Sequence, residues 1–497
     1  MRKSLLVATL AVLAAATAVT PAWAQARTDL NIGIQLEPTT LDPTTGGAAA
    51  AIRTVTDLNI YNGLTRIDKD GNVQPDLATS WDISDDGLTY TFHLKTDVKF
   101  SDGTPFSADD VKFTLDRDRA ADSKSAQKQL FAAIASVDVV DPATVKVTLS
   151  QPQGDFLYNM AWADAVIVSP KTAETNVTTP IGTGPYQLGE WVKADHLTLV
   201  PNPNYSGDKP ALDSVTFKFI AEGGPATSAL LAGDIDVFSG FPAPELLDQF
   251  KANPDFQVIV GSTQGETIMG MNNAHPPLDN VKVREAIAHA IDRQAIIDGA
   301  QFGYGTPIGS FFPPSDPAYI DLTGLSNFDP DKSKALLAEA GVKDLTLQFK
   351  VPPAAYARAA APIIQQELAN VGIKVDITNV EWADWLANVF SGAYDYDLTM
   401  VSHVEANDYA AFGKPGYYIN YKADALNKLV DELNATTDEA KRITLKQDIQ
   451  KQLAEDYAAV YLYELPNIIV AKAGVEGLWP NLPQPIVDLA AISWAAQ

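Results

Sequence analysis

The segment 57–117 constrains the fold of this chain more than any other, because it carries turn, strand and helix-start signals in close succession. Gly71 and Gly87 each follow an aspartate, a pair typical of tight hairpin turns in which glycine accepts a positive φ. Apolar and polar residues alternate over 89–95, which predicts a strand with one buried face. Ser107 stands three residues before an aspartate and predicts a capped helix. The segment therefore predicts antiparallel hairpins followed by a helix.

The first 24 residues are typical of a secretory signal peptide. Two cations, Arg2 and Lys3, precede an apolar run over 5–19, and Ala-Trp-Ala at 22–24 forms an A-x-A cleavage site. A membrane-anchoring helix is the alternative, but the run is shorter than the ~20 residues that span a bilayer. The chain has no cysteine, so we expect neither disulfides nor a lipid anchor. These features predict export to the periplasm as a protein that is not a lipoprotein.

The strong negative charge of the chain limits its partners. The formal net charge is −26, and loss of the two N-terminal cations would take it to −28. Such a surface repels nucleic acids and anionic membranes, so we expect binding to neither. An acidic ligand would have to be held by local cations, for which Arg53 and Arg358 are candidates that no spacing singles out.

The length predicts at least two domains. Without its signal peptide the chain exceeds the ~250 to 300 residues at which a single core stops growing. Strand and hairpin patterns dominate 25–266, which together with 467–497 forms the predicted first lobe, an α+β unit. Over 267–466, the predicted second lobe, helix and strand patterns alternate, which predicts a parallel sheet with right-handed crossovers. Apolar residues three and four apart predict one helix over 281–293.

Motifs that would indicate an enzyme or a metal site are absent from the sequence. The five histidines are scattered, with no HExxH and no cysteine to complete a metal site. There is no G-x-S-x-G and no phosphate-binding loop. Acidic pairs such as those at 85–86 and 109–110 occupy turn or helix-start positions, where solvation and the helix dipole explain them. We therefore expect no enzymatic activity, no cofactor and no metal.

The segment 397–418 is the candidate for ligand recognition, because it leaves the carboxyl end of a predicted strand in an α/β unit, where ligands tend to bind. Its candidate ligand-binding residues are His403, Glu405, Asn407, Asp408 and Tyr417. A polar surface loop with tyrosines at its rim is the alternative. A buried carboxylate without a cation is costly, so a cationic ligand group is a suitable partner for this segment.

Four segments resemble the extracytoplasmic solute-binding proteins of family 5, the peptide/nickel-type or cluster C binding proteins of ABC transporters. They are 57–117, Pro-Ile-Gly-Thr-Gly-Pro-Tyr at 180–186, Asn-Pro-Asn-Tyr at 202–205, and 276–293. The resemblance implies an α/β, two-lobed periplasmic-binding-protein type II fold with an enlarged first lobe. It also implies hinge crossings near 265–272 and 465–469, with the ligand buried between the lobes.

In peptide-binding relatives the loop that corresponds to 397–418 supplies an aspartate that pairs with the ligand's α-ammonium group. The resemblance therefore makes Asp408 or Glu405 the candidate partner of an ammonium group here. The chain departs from the dipeptide-binding pattern, because the usual Asp-Pro of that loop reads Asp408-Tyr409. The predicted helix 381–395 also has no arginine or lysine, so recognition of a free dipeptide carboxylate lacks its expected cation there.

Two further groups of residues are candidates for the ligand cleft. Trp382 and Trp385 stand three apart on one helix face and could form an apolar or cation-stacking wall; the alternative is a pair of ordinary core aromatics. In the first lobe, Leu-Asp-Pro at 41–43 resembles a family turn whose following loop lines the cleft in relatives. The resemblance therefore adds Thr45 and Gly46 to the expected ligand contacts.

The resemblance implies the substrate-binding component of an ABC importer. Such a protein, expected to be a monomer, captures a solute between its lobes and delivers it to permease subunits driven by cytoplasmic ATPases. A short peptide or peptide-like compound is the leading ligand class. Opines, oligosaccharides and nickel chelates are alternatives, with nickel the weakest because His403 is the one histidine in the candidate segment. A periplasmic hydrolase or a holding chaperone is the alternative of a different class.

Overall fold

The computed structural model describes residues 27–45, 50–405 and 407–495. The predicted signal peptide and Gly46 lie outside these residues. Within them the chain forms two lobes, each built on one large sheet. In the same ranges, no helix combines the length and the apolar composition needed to cross a membrane.

The first lobe contains the elements that precede residue 262. In chain order they are β1 (Asp29–Ile34), α1 (Ala50–Thr56), β2 (Thr65–Ile67), β3 (Val73–Pro75), β4 (Ala78–Ile83), β5 (Thr89–Leu94), α2 (Ala108–Asp118), β6 (Ile134–Asp141), β7 (Thr144–Leu149), α3 (Phe156–Asn159), β8 (Tyr186–Val192), β9 (His196–Pro201), β10 (Ser214–Phe219), α4 (Gly223–Ala232), β11 (Val237–Ser239), α5 (Leu247–Lys251) and β12 (Phe256–Gly261).

The second lobe follows, and the chain then returns to the first. The second-lobe elements are β13 (Glu266–Met271), α6 (Val281–Ala290), α7 (Arg293–Gln301), β14 (Thr306–Pro307), α8 (Pro330–Glu339), β15 (Thr346–Val351), α9 (Ala355–Asn370), β16 (Lys374–Asn379), α10 (Trp382–Trp385), β17 (Leu398–His403), α11 (Asp424–Asn434), α12 (Glu439–Glu455) and β18 (Ala459–Glu464). The return segment holds β19 (Asn467–Lys472), β20 (Val475–Glu476) and β21 (Ser493–Trp494).

The first-lobe sheet is mixed and has seven strands, in the order β12-β19-β11-β1-β10-β9-β8. β1 pairs in parallel with β10 and β11, and the remaining pairs are antiparallel. Apolar side chains such as Ile32, Leu199 and Phe217 form the core on this sheet. Because β19 lies between β12 and β11, the last part of the chain completes the first lobe.

The predictions for 57–117 are confirmed. β2 pairs with β3 and β4 pairs with β5, both antiparallel. Gly71 and Gly87 have φ of 84° and 67° in the two turns, as glycine permits. Alternate residues of β5 are buried. The Ser107 backbone N–H donates to Asp110 Oδ2 over 2.9 Å in a capping box that starts α2. β4 and β5 join β7 and β6 in a separate four-stranded sheet, which enlarges the first lobe.

The second-lobe sheet has the strand order β14-β18-β13-β17-β15-β16. β15 pairs in parallel with β16 and β17, as the alternation of helices and strands predicts. β13 pairs antiparallel with β17 and β18, so the prediction of a parallel sheet is wrong for that half. β13 and β18 are the strands by which the chain enters and leaves the lobe, so their direction is set by those crossings and by no strand-helix-strand unit.

The helix predicted over 281–293 is present as α6 but ends three residues earlier than predicted, and a second helix, α7, begins at Arg293. α6 ends at Ala290, and Asp292 caps α7 by accepting hydrogen bonds from the backbone N–H groups of Gln294 and Ala295 over 3.0 and 3.2 Å. The apolar spacing continues across the break, because both helices pack on the same core. An aspartate at an N-cap, which periodicity alone does not reveal, therefore divides the pattern.

Two short segments, 262–265 and 465–466, connect the sheets of the two lobes. They bond to each other: Thr263 Oγ1 donates to the Leu465 carbonyl over 2.6 Å, and the Leu465 N–H donates to the Gly265 carbonyl over 2.7 Å. The first crossing lies a few residues earlier than expected, because strand β13 already pairs within the second-lobe sheet from its first residue.

The backbone at Gly182 and Gly184 lies directly against the backbone at Asn59 and Ile60 in the first lobe. A Cβ at Gly182 would stand 2.0 Å from the Ile60 carbonyl oxygen, and one at Gly184 would stand 2.4 Å from that of Asn59. The Gly184 N–H donates to the Ile60 carbonyl over 2.9 Å. Both positions therefore require glycine for backbone-to-backbone contact.

Candidate ligand-binding cleft

A buried arginine of the first lobe faces the gap between the lobes. Arg53 lies on α1, an otherwise apolar and small-residue helix, and its side chain is 2% exposed. Its Nε and Nη2 lie 2.7 and 3.3 Å from the two carboxylate oxygens of Asp164. A planar guanidinium is suited to this two-bond contact with a carboxylate. The guanidinium stands over the Trp162 ring, 5.7 Å from its centroid. Neighbours of its own lobe therefore fix this cation in position.

Glu405 of the second lobe reaches the same arginine. Its Oε2 lies 2.8 Å from Arg53 Nη1 and also accepts a hydrogen bond from the Gln127 side chain of the first lobe. Burial works to lower the pKa of Arg53, but the charges of Asp164 and Glu405 more than offset it and raise that pKa. Burial raises the pKa of Glu405, Arg53 opposes this, and the charge of Asp408 adds to it. The two lobes thus meet at a buried, charged cluster.

His403 and Asp408 form the second-lobe wall beside Glu405. His403 Nε2 lies 2.8 Å from the Tyr418 hydroxyl, and its Nδ1 lies 3.2 Å from Asp408 Oδ2. The imidazole stacks on the Tyr418 ring and meets Phe311 edge-on. Nε2 therefore has a hydrogen-bond partner, Nδ1 lies within ion-pair distance of a carboxylate oxygen that has no hydrogen bond among the described residues, and the aromatic packing fixes the imidazole that faces Asp408.

Glu266 and Glu464 place two more carboxyl groups at the lobe crossings. Glu266 begins β13, and it pairs across the sheet with Glu464 on one side and His403 on the other. Burial, and then the charge of Asp408, raise the pKa of Glu266 well above its ordinary value. Burial alone raises the pKa of Glu464 to about 7. Within the described part of the chain, neither glutamate forms an ion pair with a cation. This edge of the second-lobe sheet therefore carries two buried carboxyl groups that have no cationic partner.

A second contact joins the lobes away from Arg53. Arg442 on α12 donates to the carbonyls of Leu433 and Thr436 over 3.0 and 2.9 Å, and across the gap to Asp155 of the first lobe. A Cβ at Gly154 would stand 2.0 Å from Arg442 Nη1, so the backbone beside Asp155 approaches the guanidinium as closely as only glycine permits. This contact between Arg442 and Asp155, the clasp, joins the second lobe directly to the first.

The sequence of this chain matches the model of a known protein family. The model of the bacterial extracellular solute-binding proteins, family 5 middle, matches residues 72–453. The chain belongs to that family. A two-lobed fold with buried groups that converge between the lobes is therefore the fold of a family 5 solute-binding protein, a protein that acts outside the cytoplasm.

Similar proteins agree with the family. This solute-binding protein is 34% identical over 388 residues to the glutathione-binding protein GsiB of Salmonella choleraesuis, covering 76% of this chain and 75% of that one. The dipeptide-binding protein of Pseudoalteromonas sp. SM9913 in complex with Met-Leu superposes with a TM-score of 0.84 at 25% identity, covering 94% of this chain and all of that one. The binding protein AgaA of A. tumefaciens R10 with agropinic acid gives 0.83 at 28% identity, covering 94% and 99%. These relatives are binding proteins and not enzymes.

The structure brings some of the predicted ligand contacts of this family 5 protein together. Glu405 and Asp408 lie at the lobe interface, with His403 behind Asp408. Asn407 adopts a left-handed backbone, with φ of 54°, and its side chain accepts a hydrogen bond from the Tyr409 hydroxyl. These positions agree with the expected cleft, and their contact with a ligand stays a prediction.

The remaining predicted contacts are spread more widely. Trp385 is 2% exposed, and its indole N–H donates to Thr399 over 2.9 Å, so it belongs to the second-lobe core. Trp382 stacks on it and is 47% exposed. Among the described residues, the buried Thr45 Oγ1 and the Tyr417 hydroxyl have no hydrogen-bond partner. Trp382 is thus the more accessible of the two tryptophans, and Gly46 lies outside the described residues.

Sequence reasoning missed most of the first-lobe side of the cleft. Arg53 was one of two candidate cations, with Arg358, and no spacing singled it out, while Asp164, Gln127 and Trp162 carried no motif. The available signal was the position of Arg53 in a helix otherwise made of alanine, β-branched and threonine residues. A lone arginine in such a helix indicates a paired buried charge, but its partner lies 111 residues away in sequence.

Proposed function

We propose that this protein is the substrate-binding component of an ABC importer and that it captures a peptide-like solute between its two lobes in the periplasm. The observation that carries the proposal is the reach of Glu405 from the second lobe to Arg53 and Gln127 of the first. Charged and polar groups from both lobes converge at one buried place. A solute bound there would touch both lobes at once.

Such a solute binds the closed arrangement of the lobes more tightly than an open one. A ligand shifts a conformational equilibrium only through contacts that differ between the two states. Contacts with Arg53 on one lobe and with Asp408 on the other exist together only when the lobes are close. Domain closure about the short crossings 262–265 and 465–466 is therefore the expected response, and the closed form is the one delivered to the permease.

The charges of the cleft favour a solute with an ammonium group. Arg53 is already paired with Asp164, while Glu405 and Asp408 lie close by without a second lysine or arginine partner in the described residues. Buried carboxylates are stable only with cations or strong donors. Asp408 and Glu405 are therefore the proposed partners of an ammonium group, as in a peptide with a free amino terminus.

The named ligands of similar proteins agree with a peptide-like solute. Glutathione and Met-Leu are peptides, and they belong to a relative at 34% identity and a solved structure at 25% identity. An opine is the second candidate, because the AgaA complex with agropinic acid has 28% identity and covers nearly the whole chain. Nickel chelates are less favoured, since Nε2 of His403 is bonded to the Tyr418 hydroxyl and its Nδ1 faces Asp408.

The remaining parts of the proposal concern where the protein acts and with what. Residues 1–24 would export it to the periplasm, and the absence of cysteine rules out a lipid-anchored cysteine within this sequence. The partners are the inner-membrane permease subunits, with cytoplasmic ATPases behind them. The protein is expected to act as a monomer, without nucleic acid and without catalysis of its own.

A thermal-shift screen tests the function. The protein is unfolded and refolded to remove carried-over solute, and is then heated with di- to pentapeptides, glutathione, opines, sugars and nickel chelates. A solute at 100 times its Kd adds about 2.7 kcal/mol to the free energy of unfolding, which raises the Tm clearly. A peptide or glutathione hit supports the ligand class. A hit with sugars alone overturns that class, and the absence of any hit overturns the binding role.

A further inference from the structure

Two hydrogen-bond donors of the first lobe converge on one carboxylate, and the aromatic ring beside them carries a third donor. Arg53 Nη1 and the Gln127 side-chain N–H group both contact Glu405 Oε2. The ring of Trp162 lies 5.7 Å from the same guanidinium, and its indole N–H is buried and has no acceptor among the described residues. An unused, buried N–H next to an arginine is costly unless an acceptor reaches it. The group of Arg53, Gln127 and Trp162 thus has the composition of an anion site.

The arginine still has capacity for a second anion. Asp164 occupies Nε and Nη2, the edge of the guanidinium that faces the first-lobe core. Nη1 points to Glu405 and makes no hydrogen bond of good geometry with any described residue, although the two charged atoms are 2.8 Å apart. Glu405 belongs to the other lobe, so lobe movement can remove its carboxylate while Arg53, Gln127 and Trp162 stay in place.

Charge balance restricts what can replace Glu405. A lone carboxylate would add a negative charge to a region that already holds the acidic side chains of Glu405 and Asp408. A lone ammonium group would leave the Arg53–Glu405 pair intact and the Trp162 N–H unused. A group that carries both charges on one carbon adds no net charge, provides a carboxylate for Arg53, and pairs the displaced Glu405 with an ammonium.

We propose that Arg53, Gln127 and Trp162 form a subsite for the carboxylate of a free α-amino-acid zwitterion, while Glu405 and Asp408 hold the ammonium of the same α-carbon. In the structure, the Glu405 carboxylate occupies the place beside Arg53 and Gln127 that the solute carboxylate would take. The solutes selected are those that end in such a zwitterion, as γ-linked peptides do, and not ordinary α-peptides, whose ammonium stands beside an amide. This inference rests on the proposed function and adds the ligand class that the site selects.

A pair of isomers tests the proposal without a change in total charge. γ-Glu-Ala-Gly keeps the carboxylate and the ammonium on one carbon, whereas α-linked Glu-Ala-Gly separates them. Isothermal titration of the refolded protein should give a Kd about 30-fold or more lower for the γ-linked isomer, the size expected when a buried charge contact is lost. Equal affinities, or tighter binding of the α-linked isomer, overturn the proposal.

Two variants locate the subsite. Gln127→Met and Trp162→Phe each remove one hydrogen-bond donor and put an apolar side chain of related shape in its place. Each should weaken the γ-linked isomer by about tenfold, the cost of a hydrogen bond to a charged group, and leave any weak binding of the α-linked isomer nearly unchanged. Equal weakening of both isomers indicates a structural role and overturns the assignment. Arg119→Gln, at a surface cation of α2's carboxyl end, is the control and should change neither Kd.

The design separates this inference from the proposed function. If neither isomer binds while another solute of the thermal-shift panel does, the subsite is wrong and the binding role stands. If no solute of the panel binds, both fail. Far-ultraviolet circular dichroism and the Tm of each variant show whether it is folded. If Gln127→Met does not fold, Gln127→Leu takes its place, because it removes the same donor.

Discussion

The two sides of the cleft are built differently. The first lobe contributes a cation whose partner belongs to the same lobe: Arg53 and Asp164 are both nearly inaccessible and lie 2.7 Å apart. The second lobe contributes Glu405 and Asp408, with side chains 20% and 16% exposed, and the cation that Glu405 contacts is across the gap. The first side is therefore preassembled, while the second side finds its full set of partners only when the lobes meet.

This difference gives the lobes separate tasks. A preassembled cation loses little freedom when an anionic group binds, which favours affinity. Carboxylates that depend on the opposite lobe change their surroundings on closure, so they can report whether a solute is present. Fixed recognition on one side and closure-dependent recognition on the other is a physical basis for capture followed by release.

Asp164→Asn should have the largest effect, because it removes the charge that compensates a buried arginine. Loss of one partner of a buried ion pair costs about 3 kcal/mol or more of the free energy of unfolding. Urea denaturation at pH 7.5 measures it. Glu405→Gln is the matched control on the other side of Arg53; it should cost less than about 1 kcal/mol, because its side chain keeps contact with solvent. Equal losses would show that the two sides are not built differently.

Asp408→Asn should have the next largest effect, on affinity and not on stability. If Asp408 holds an ammonium group, its neutralisation should raise the Kd of a peptide-like solute by about 30-fold, the cost of a missing buried charge partner. The same solute with an acetylated amino group is the control, because it has no ammonium to lose. Titration calorimetry on both proteins gives the comparison. An equal change with both solutes would mean that Asp408 acts only through His403 packing.

The asymmetry also explains what could be predicted from sequence. Segment 57–117 was predictable because its signals are local: two turn glycines, an alternating strand and a capping box lie within a few residues of the groups they bond. The second-lobe loop with Glu405 and Asp408 was reached through strand order and family resemblance. The Arg53 site was not, because its parts at 53, 127 and 162–164 meet only through the tertiary fold.

The failures have physical causes of the same kind. Periodicity cannot detect the break after α6, since one core covers both helices and the break depends on the Asp292 cap. Nor does it give the direction of β13, which follows from the crossing between lobes. Gly182 reads as a turn residue in sequence, whereas its function is contact with a backbone more than a hundred residues away.

The pH dependence of stability tests the second-lobe side of this difference. Burial raises the pKa of Glu464 to about 7 from an ordinary value of 4.5. Between pH 4.5 and 7 the unfolded chain loses this proton while the folded protein keeps it, so stability falls as the pH rises. Glu464→Gln should remove about 2 kcal/mol of that fall, measured as unfolding free energies at pH 4.5 and pH 8. Glu439→Gln, at an exposed helix start, controls for the loss of one carboxyl. Parallel profiles for wild type and Glu464→Gln would contradict the prediction.

The clasp between Arg442 and Asp155 should give the smallest effect and the clearest separation of closure from recognition. Arg442 keeps its bonds to the Leu433 and Thr436 carbonyls when Asp155 becomes Asn, so the change weakens the contact across the gap and leaves the second lobe intact. A less populated closed form raises every apparent Kd by the same factor. Asp155→Asn should therefore weaken all solutes by about fivefold, consistent with roughly 1 kcal/mol for a partly exposed pair.

The control is Asp70→Asn, whose exposed pair with Lys69 lies within one lobe and should leave every Kd unchanged. The informative result is the ratio between solutes. A change in the preference among peptides, opines and γ-linked isomers would place Asp155 in recognition. A uniform shift, with the preference retained, means that the clasp sets how readily the lobes close and takes no part in the choice of solute.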